Sequence, residues 1–352
     1  MRKNISAYSW ICSFICVVII LTLIVGSVVY IIDPFFRFRV VDGKYFLNPK
    51  YVSPGLVRNY DYDTLILGSS MIQNFNMQSF RDKLNCKPLH IGIGGAKPAE
   101  ILKYIELSEK VGKADTYYIC IDISSFAFEP VVYTPEYLFD DGLISDFKYI
   151  YNYEAICQFV PANIALMALE KINPNTGLYD KKTQIDYLGD WSDDFRCSEK
   201  SVIENYNSGA YKPASVNPDT FYELCAKKTD DFFEILNKSK DYVFFIPPYS
   251  SLYWYDKINS GEFDVLNQGK KYFVEKALNF GATVYDFQAA ELTVDLNNYR
   301  DTTHYSHQIN EWIVDRFKDG AFKINRTNID DTAEIIVANT KKLRDKYGAL
   351  IK

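Results

Sequence analysis

Any mechanism that needs an imidazole must use one of only three side chains in this sequence, because the chain contains three histidines. One of them, His304, follows Asp301 by three positions, so the carboxylate can reach one nitrogen of the ring. A carboxylate placed in this way fixes the tautomer of the imidazole and stabilises its protonated form, which leaves the other nitrogen to accept a serine proton. The pair predicts base-assisted nucleophilic chemistry at a serine elsewhere in the chain.

Ser70 is the serine best placed to be that nucleophile. It stands in the sequence GSSM at 68–71, between an apolar run that predicts a buried strand and a helical pattern over 71–84. Sites in open α/β sheets lie at the carboxyl ends of the strands, and N–H groups at a helix N-terminus can stabilise an oxyanion. Taken alone, the motif favours a serine that only caps a helix. The prediction of a Ser-His-Asp triad therefore depends on His304 and Asp301.

A glycine turn after the second predicted strand supplies a second group for an oxyanion. The sequence there is HIGIGGAK at 90–97, and glycine lets a backbone N–H approach a reacting oxygen closely. We expect Gly95 to be that donor. A dinucleotide site is excluded, because the G-x-G-x-x-G pattern would need a glycine where Lys97 stands.

The other two histidines predict no metal centre. His307 lies three residues after His304, but no third ligand with a suitable spacing accompanies the pair, so we prefer acyl chemistry and expect no metal or other cofactor. His307 is expected at the surface or at a helix cap, and His90 in the core. The five cysteines after residue 33 show no CxxC or metal-ligand spacing, which predicts no zinc and no obligatory disulfide.

Composition predicts a folded protein that does not bind nucleic acid. The 352 residues are 48% apolar and 16% aromatic, and 39 Lys and Arg against 45 Asp and Glu give a net charge of −6. This balance is opposite in sign to the basic surface that nucleic-acid binding needs. The length suits one large or two modest domains.

Five short apolar runs with helical patterns between them would position the chemical groups. Alternation of strand and helix predicts a mainly parallel sheet covered on both faces, which is a three-layer α/β/α, flavodoxin-like domain. About 115 residues separate the third and fourth strands, far more than a crossover needs, so we expect a large insertion there. The predicted strands are 64–67, 89–93, 117–123, 242–246 and 283–287, and the predicted insertion is 126–241.

The N-terminal residues predict a membrane anchor. No charged residue occurs between Lys3 and Asp33, and the apolar run is longer than the roughly 20 residues that span a bilayer. The run is too long for a signal peptide and lacks a small-x-small cleavage site, so we expect it to be retained. The predicted organisation is an anchor at 1–33, a juxtamembrane segment at 34–60, an α/β domain at 61–320 and a helical tail at 321–352.

Together these motifs resemble the SGNH (GDSL-type) hydrolase superfamily. The Gly-Ser-Ser turn, the glycine turn and the Asp-x-x-His motif occur in the order of that superfamily, over about 61–320. The DPFF element at 33–36 and the PPYS element at 247–250 further resemble a bacterial group of membrane-anchored SGNH-like proteins. That group is similar to the D-alanyl-transfer protein of teichoic-acid D-alanylation and to alginate-type polysaccharide O-acetyltransferases.

The resemblance implies a role for each motif residue. Ser70 would be the nucleophile, His304 the general base and Asp301 its orienting acid, while the N–H groups of Ser70 and Gly95 would bind the oxyanion. The Gly-x-Asn-Asp block of the superfamily is absent, and the third strand is followed instead by the sequence IDISS at 121–125.

The missing asparagine leaves the third oxyanion donor to another side chain. Asp122 cannot donate while it is ionised, whereas Ser124 or Ser125 can, so the third donor is expected to be one of these serines. Tyr249 and Ser250 follow the fourth strand at the same edge of the sheet, and we expect them to contact the substrate.

The sequence therefore predicts a single-pass protein of the bacterial cell membrane, with its N-terminus in the cytoplasm and its α/β domain outside. We expect it to transfer an acyl group, with acetyl as the preferred one, to a cell-envelope polysaccharide or teichoic-acid-like polymer through an acyl-serine. By the resemblance, a membrane-bound O-acyltransferase would supply the acyl group. Two alternatives stay open: a carbohydrate esterase or deacetylase with the same triad, and a non-catalytic SGNH-like partner of such an acyltransferase.

Overall fold

The computed structural model describes residues 7–40, 43, 45–129, 134–173, 181–210 and 212–351. Contacts divide the chain into two compact units, Met1–Tyr60 with Thr134–Gln184 and Asp61–Tyr133 with Ile185–Lys352. The second unit contains the sheet, and it also includes the predicted helical tail. The predicted insertion at 126–241 contributes residues to both units.

A five-stranded sheet forms the centre of the second unit. Its strands are β1 (Thr64–Gly68), β2 (Pro88–Gly92), β3 (Thr116–Cys120), β4 (Asp241–Ile246) and β5 (Thr283–Asp286). The order is β2-β1-β3-β4-β5 and every neighbouring pair is parallel, which confirms the predicted α/β class. The chain places β2 on one side of β1 and then β3 on the other side. Ligand sites in such sheets lie at the carboxyl ends of the strands where the order changes direction, here between β1 and β3.

Twelve α-helices occur within the described residues. They are α1 (Ala7–Ile32), α2 (Pro49–Asn59), α3 (Met77–Leu84), α4 (Pro98–Val111), α5 (Leu143–Ile150), α6 (Val160–Ile172), α7 (Glu199–Asn207), α8 (Pro218–Ile235), α9 (Ser251–Asn259), α10 (Phe263–Phe280), α11 (His307–Asp319) and α12 (Asp331–Tyr347).

Aromatic packing on β4 shows that helices cover both faces of the sheet. The ring of Phe244 lies 6.1 Å from Phe232 of α8 and 5.3 Å from Phe273 of α10, measured between ring centroids. The next residue, Phe245, packs 5.3 Å from Phe317 of α11. Successive side chains of a strand point to opposite faces, so α8 and α10 cover one face and α11 covers the other. The predicted three-layer arrangement is therefore confirmed.

The first unit contains α1 and three shorter helices. By length and composition α1 could cross a membrane, and so could the helical segment Ala155–Ile172, in which a π-helical turn precedes α6. Within α1 only Gly26 and Val29 are buried. The structure therefore agrees with the sequence that α1 presents an apolar surface along nearly its whole length.

A buried ion pair fixes the loop that precedes α8. Lys257 and Glu262 are both nearly inaccessible, with 2.9 Å between Nζ and Oε2. Lys257 also donates to the carbonyl of Ala214, and Glu262 accepts the N–H of Val216, both at 2.8 Å. Burial raises the pKa of Glu262, but the hydrogen bonds from Lys257 and Val216 outweigh burial and lower it, so the carboxylate is ionised.

Replacing Lys257 by methionine should destabilise the protein strongly. The Glu262 carboxylate would then be buried without its cation, which typically costs about 3–5 kcal/mol. Thermal unfolding followed by tryptophan fluorescence measures the loss. The matched control is Lys271→Met on α10, where the pair with Asp330 is exposed and contributes little. Equal melting temperatures for the two variants would contradict this account of the buried pair.

Candidate active site

Ser70 lies where the chain turns out of the sheet after β1. Gly68 closes the strand, and a Cβ at this position would lie 2.7 Å from the Cβ of Cys120 and 3.0 Å from Ile72. Only glycine allows this close approach, so the end of β1 is fixed against β3. Ser70 then begins a three-residue 3₁₀ turn, Ser70–Ile72.

The predicted helix over 71–84 differs from the structure at its start. The 3₁₀ turn ends at Ile72, and the α-helix begins only at Met77. Asn76 has an extended backbone, and its side chain accepts a hydrogen bond from the N–H of Gln78, which caps a new helix instead of continuing the turn. Ser70 is thus presented on a short turn and not at the N-terminus of a long helix.

Three predicted side chains form a continuous hydrogen-bonded chain. The Oγ of Ser70 lies 2.7 Å from Nε2 of His304, and Nδ1 of the same ring lies 2.8 Å from Oδ2 of Asp301. The residue in the N-cap position of the 3₁₀ turn is Ser69, and its side chain makes no capping hydrogen bond. The hydroxyl of Ser70 therefore contacts the imidazole and does not cap a helix.

Asp301 is buried and firmly held. Its Oδ1 accepts the N–H groups of Thr303 at 2.9 Å and of His304 at 2.8 Å, while Oδ2 faces the imidazole. Burial raises the pKa of Asp301, but the hydrogen bonds and charge of His304, together with the N–H of Thr303, outweigh burial and lower the pKa to about 2. Asp301 is therefore an ionised, immobile acceptor for the imidazole.

The low pKa of Asp301 predicts a pH-dependent contribution to stability. A carboxyl with a lowered pKa stabilises the fold above its unfolded pKa of about 3.9, and this stabilisation disappears as the pH falls towards the folded value. Asp301 should contribute about 2–3 kcal/mol near pH 5 that is lost near pH 2. The melting temperature of wild type minus that of Asp301→Asn should fall over this range. A constant difference would contradict the assignment.

The glycine turn after β2 lines the same cavity as Ser70. Gly95 has a φ of +71°, a backbone conformation that favours glycine, and the N–H of Ala96 closes the turn on the carbonyl of Ile93 at 2.9 Å. Within the described residues, neither the N–H of Ser70 nor that of Gly95 donates to a backbone carbonyl. Both residues line the cavity.

Ser124 does not have the arrangement that a third oxyanion donor needs. Its hydroxyl donates to Oδ1 of Asp122 at 2.8 Å, and its N–H donates to the same oxygen at 3.0 Å. Asp122 follows β3 and is the N-cap residue of the 3₁₀ turn Ile123–Ala127, where its side chain accepts the N–H of Ser124. The hydroxyl of Ser125 is also engaged, because it donates to the carbonyl of Asp122 at 2.5 Å. The serines expected to replace the missing asparagine are therefore committed to local turn structure.

The two residues expected to contact substrate, Tyr249 and Ser250, occupy different environments in the structure. Tyr249 lines the cavity, and burial, followed by the charge of Asp122, raises its pKa well above the usual value, so the phenol is neutral. Ser250 is fully buried, and its hydroxyl donates to the carbonyl of Thr302 at 2.7 Å. The substrate contact expected for Ser250 is therefore wrong, since this residue instead ties the end of β4 to the loop that carries Asp301.

Trp191 is a site residue that the sequence did not reveal. Its ring meets the ring of His304 edge-on, with centroids 5.6 Å apart, and its Nε1 donates to the carbonyl of Ser70 at 3.3 Å. The N–H of Trp191 donates to Oδ1 of Asn74 at 3.1 Å. The only signal in the sequence was a lone tryptophan within a polar, aspartate-rich stretch, which does not distinguish a site residue from a surface one.

The other histidines lie outside the hydrogen-bonded chain. His90 is fully buried with Nε2 2.9 Å from the carbonyl of Leu188, and burial lowers its pKa. His307 is exposed at the start of α11 and lines a second cavity of about 480 Å³. Within the part of the chain that the structure describes, no three His, Cys, Asp or Glu side chains are placed to hold a metal ion.

The site opens to solvent through a cavity of about 240 Å³. Two lysines line it: Lys97 from the start of α4 and Lys212 from the loop before α8. At this cavity Ser70 is hydrogen-bonded to His304, the ring of His304 is hydrogen-bonded to Asp301, and Gly95 of the glycine turn is also part of the lining. Such an arrangement is able to form and cleave an ester at the serine.

No family model matches the chain, and no curated protein matches it. Among solved structures, the chain is similar to the crystal structure of an acetyl xylan esterase, AlAXEase, with 9% sequence identity and a TM-score of 0.36. The alignment covers 73% of this chain and 99% of that chain. At this degree of similarity the likeness carries no information on the chemistry of Ser70, which is judged from its own contacts.

Proposed function

We propose that the protein is a serine acyltransferase that forms an acyl-serine at Ser70. It passes the acyl group, with acetyl as the expected one, to a hydroxyl of a cell-envelope polysaccharide or a teichoic-acid-like polymer. The observation that carries the proposal is the chain of hydrogen bonds from Ser70 through His304 to Asp301, with distances of 2.7 Å and 2.8 Å, at an open cavity.

In the first half-reaction His304 removes the proton of Ser70 through Nε2 while Oγ attacks the carbonyl carbon of the donor ester. The imidazolium that forms is stabilised through Nδ1–H by Asp301, which stays ionised. Negative charge develops on the carbonyl oxygen, and the N–H groups of Ser70 and Gly95 are available to bind it. The bond to the leaving oxygen then breaks, and His304 returns its proton to that oxygen.

In the second half-reaction an acceptor hydroxyl replaces the leaving group. His304 takes the hydroxyl proton, the oxygen attacks the acyl carbonyl, and Oγ of Ser70 leaves and recovers the proton. With water as the acceptor, the same steps describe an esterase or deacetylase. The difference between the two activities therefore lies in which acceptor reaches the acyl-serine.

We further propose that this chemistry takes place outside the bacterial cell membrane, with α1 as the anchor and the N-terminus in the cytoplasm. The length and apolar composition of α1 support an anchor. The resemblance of the motifs to membrane-anchored SGNH-like proteins supports a membrane-bound O-acyltransferase as the partner that supplies the acyl group. A polymer hydroxyl outside the cell is then the acceptor.

A non-catalytic partner of an acyltransferase is the second candidate, and one observation favours it. Ser124 and Ser125 donate to Asp122, so the side-chain oxyanion donor of the superfamily has no replacement among them. Loss of one such donor typically lowers the rate by about 10²- to 10³-fold. A binding protein that has kept the fold without turnover would tolerate that loss.

Acylation by an activated ester tests the proposal. Full-length protein in detergent, mixed with p-nitrophenyl acetate, should release one equivalent of p-nitrophenol rapidly and gain one acetyl group on Ser70 by mass spectrometry. Slow release of further product should accelerate when a sugar hydroxyl accepts the acetyl group. Fast steady-state hydrolysis in which no acyl-serine accumulates, or a rate that does not respond to sugar hydroxyls, would favour the esterase.

The control for this experiment is Ser69→Ala. Ser69 lines the same cavity and precedes the nucleophile, yet its side chain makes no capping hydrogen bond. The variant should still release one equivalent of p-nitrophenol rapidly and should still gain one acetyl group on Ser70. Absence of both from folded wild-type protein would favour the non-catalytic candidate.

A further inference from the structure

The segment 143–172 of the first unit exposes far more apolar surface than a water-soluble protein normally does. Large apolar side chains of α5 and α6 are between 47% and 87% exposed, and no charged residue occurs over 155–169. Contiguous apolar surface of this kind marks a site of interaction with another molecule or a membrane. The side chains are Leu143, Ile144, Phe147, Ile164, Leu169 and Ile172.

Contacts with α1 place this segment at the depth of the membrane-spanning helix. The hydroxyl of Tyr149 donates to Asp33, just past the end of α1, at 2.7 Å. The hydroxyl of Tyr151 reaches much further along α1, to the carbonyl of Thr22 at 3.2 Å. A Cβ on Gly26 would lie 2.8 Å from the same Tyr151 hydroxyl, so the two elements are in close contact.

The position of Thr22 along α1 indicates how deep in the bilayer the segment 143–172 lies. At about 1.5 Å per residue, Thr22 lies roughly 15 Å along α1 from Ile32. The hydrocarbon core of a bilayer is about 30 Å thick, so Thr22 lies near its middle when α1 spans it. Elements that contact α1 between Thr22 and Ile32 are then at the level of lipid acyl chains, and α5 and α6 both contact α1.

Two polar side chains of this segment, Asp146 and Asn163, are paired as the interior of a membrane requires. Asp146 pairs with Arg37 at 2.9 Å, and the Arg37 side chain is itself 5% exposed. Asn163 is fully buried, donates to the carbonyl of Phe159 and accepts the N–H of Phe46, both at 2.9 Å. The helical backbone bonds within itself. No unpaired charge on α6 opposes burial in lipid before Glu170.

We propose that α5 and α6 lie in the half of the bilayer next to Ile32, with the exposed side chains of 143–172 against lipid acyl chains. Lipid is the molecule that covers this apolar surface, because the surface continues that of α1. In α1 only Gly26 and Val29 are buried, and nearly all other residues are exposed. The protein would then hold its first unit within the membrane and not only be tethered to it. This inference depends on the insertion of α1 and is independent of the chemistry proposed for Ser70.

Quenching by brominated lipid tests the proposal on the full chain. Cys157 is exposed between α5 and α6 and accepts a nitrobenzoxadiazole label once the other accessible cysteines are replaced by serine. The protein is placed in phosphatidylcholine and phosphatidylglycerol liposomes with bromine on the acyl chains. We expect a blue-shifted emission and loss of most of the fluorescence at Cys157. The replaced cysteines are Cys12, Cys16, Cys86 and Cys197.

Three further label positions make the result decisive. Ile164→Cys on α6 should be quenched like Cys157, whereas Val337→Cys on α12, with nearly the same exposure, should emit as in water and lose nothing. A separate variant that keeps Cys16 as its only accessible cysteine, labelled in the same way, reports the insertion of α1. Emission as in water at residues 157 and 164 would overturn the proposal, whether or not Cys16 is quenched. Shielding that arises only after a membrane protein partner is added would also overturn it.

Discussion

Ser70→Ala and His304→Ala are each expected to lower the single-turnover rate of acetyl transfer from p-nitrophenyl acetate by about 10⁶-fold. Without Ser70 there is no oxygen to carry the acyl group, and without His304 no base lies 2.7 Å from Oγ to remove its proton. Because the two residues act in one step, the double variant should be no slower than either single one. Stopped-flow release of p-nitrophenol provides the measurement.

His307→Ala is the matched control for the imidazole. His307 lies three residues after His304 on the same stretch of chain, but it is exposed and outside the hydrogen-bonded chain. Its removal should leave the rate unchanged. Equal losses in the two histidine variants, or additive losses in the double variant, would contradict the roles assigned to Ser70 and His304.

Asp301→Asn is expected to lower the same rate by about 10⁴-fold while the apparent KM changes little. The amide has nearly the shape of the carboxylate, but it neither favours the tautomer with hydrogen on Nδ1 nor stabilises the imidazolium. With a pKa of about 2, Asp301 is ionised throughout any practical assay range, so loss of activity in acid must come from another group.

A carboxylate elsewhere in the same unit provides the control for this substitution. Asp295 is partly exposed and pairs with Lys346 away from the cavity. Asp295→Asn should retain the wild-type rate. A rate of Asp301→Asn within tenfold of wild type would show that the carboxylate does not orient His304.

The sheet was predictable because its strands are short, continuous apolar runs that only a doubly covered parallel sheet can bury. The end of β1 was also predictable, since the apolar run at 64–67 leads directly into the Gly-Ser-Ser turn that begins at Gly68. The hydrogen bond between Asp301 and His304 was predictable because a spacing of three residues lets the carboxylate reach the ring, as it does in this loop. Each of these inferences uses information within a few residues of the chain.

Features that depend on long-range packing were not predictable. The bounds predicted for the insertion, 126–241, include α8, a helix that covers the sheet, because nothing local separates this helix from the residues that join the first unit. Ser250 looks like a substrate contact from its place after β4, yet its hydroxyl is taken by Thr302, 52 residues further along the chain. Trp191 meets His304 across about twice that separation along the chain.

The oxyanion site shows the same limit at the level of single hydrogen bonds. The sequence allowed Ser124 or Ser125 to replace the absent asparagine, and both serines do lie beside the cavity. Asp122 accepts both of their hydroxyl hydrogens, which ties the two serines to the turn after β3. The acceptor to which a serine hydroxyl donates depends on the local backbone geometry, which a sequence pattern does not specify.

Labelling of full-length protein with a fluorophosphonate tests the central claim most directly, because this reagent reacts with a serine only when a base activates it. We expect one phosphonyl group on Ser70 by peptide mass spectrometry, retained in Ser69→Ala and His307→Ala. The label should be absent from Ser70→Ala and His304→Ala, although both variants keep the wild-type melting temperature. No label on folded wild-type protein, or a label that survives Ser70→Ala, would contradict an activated nucleophile at this site.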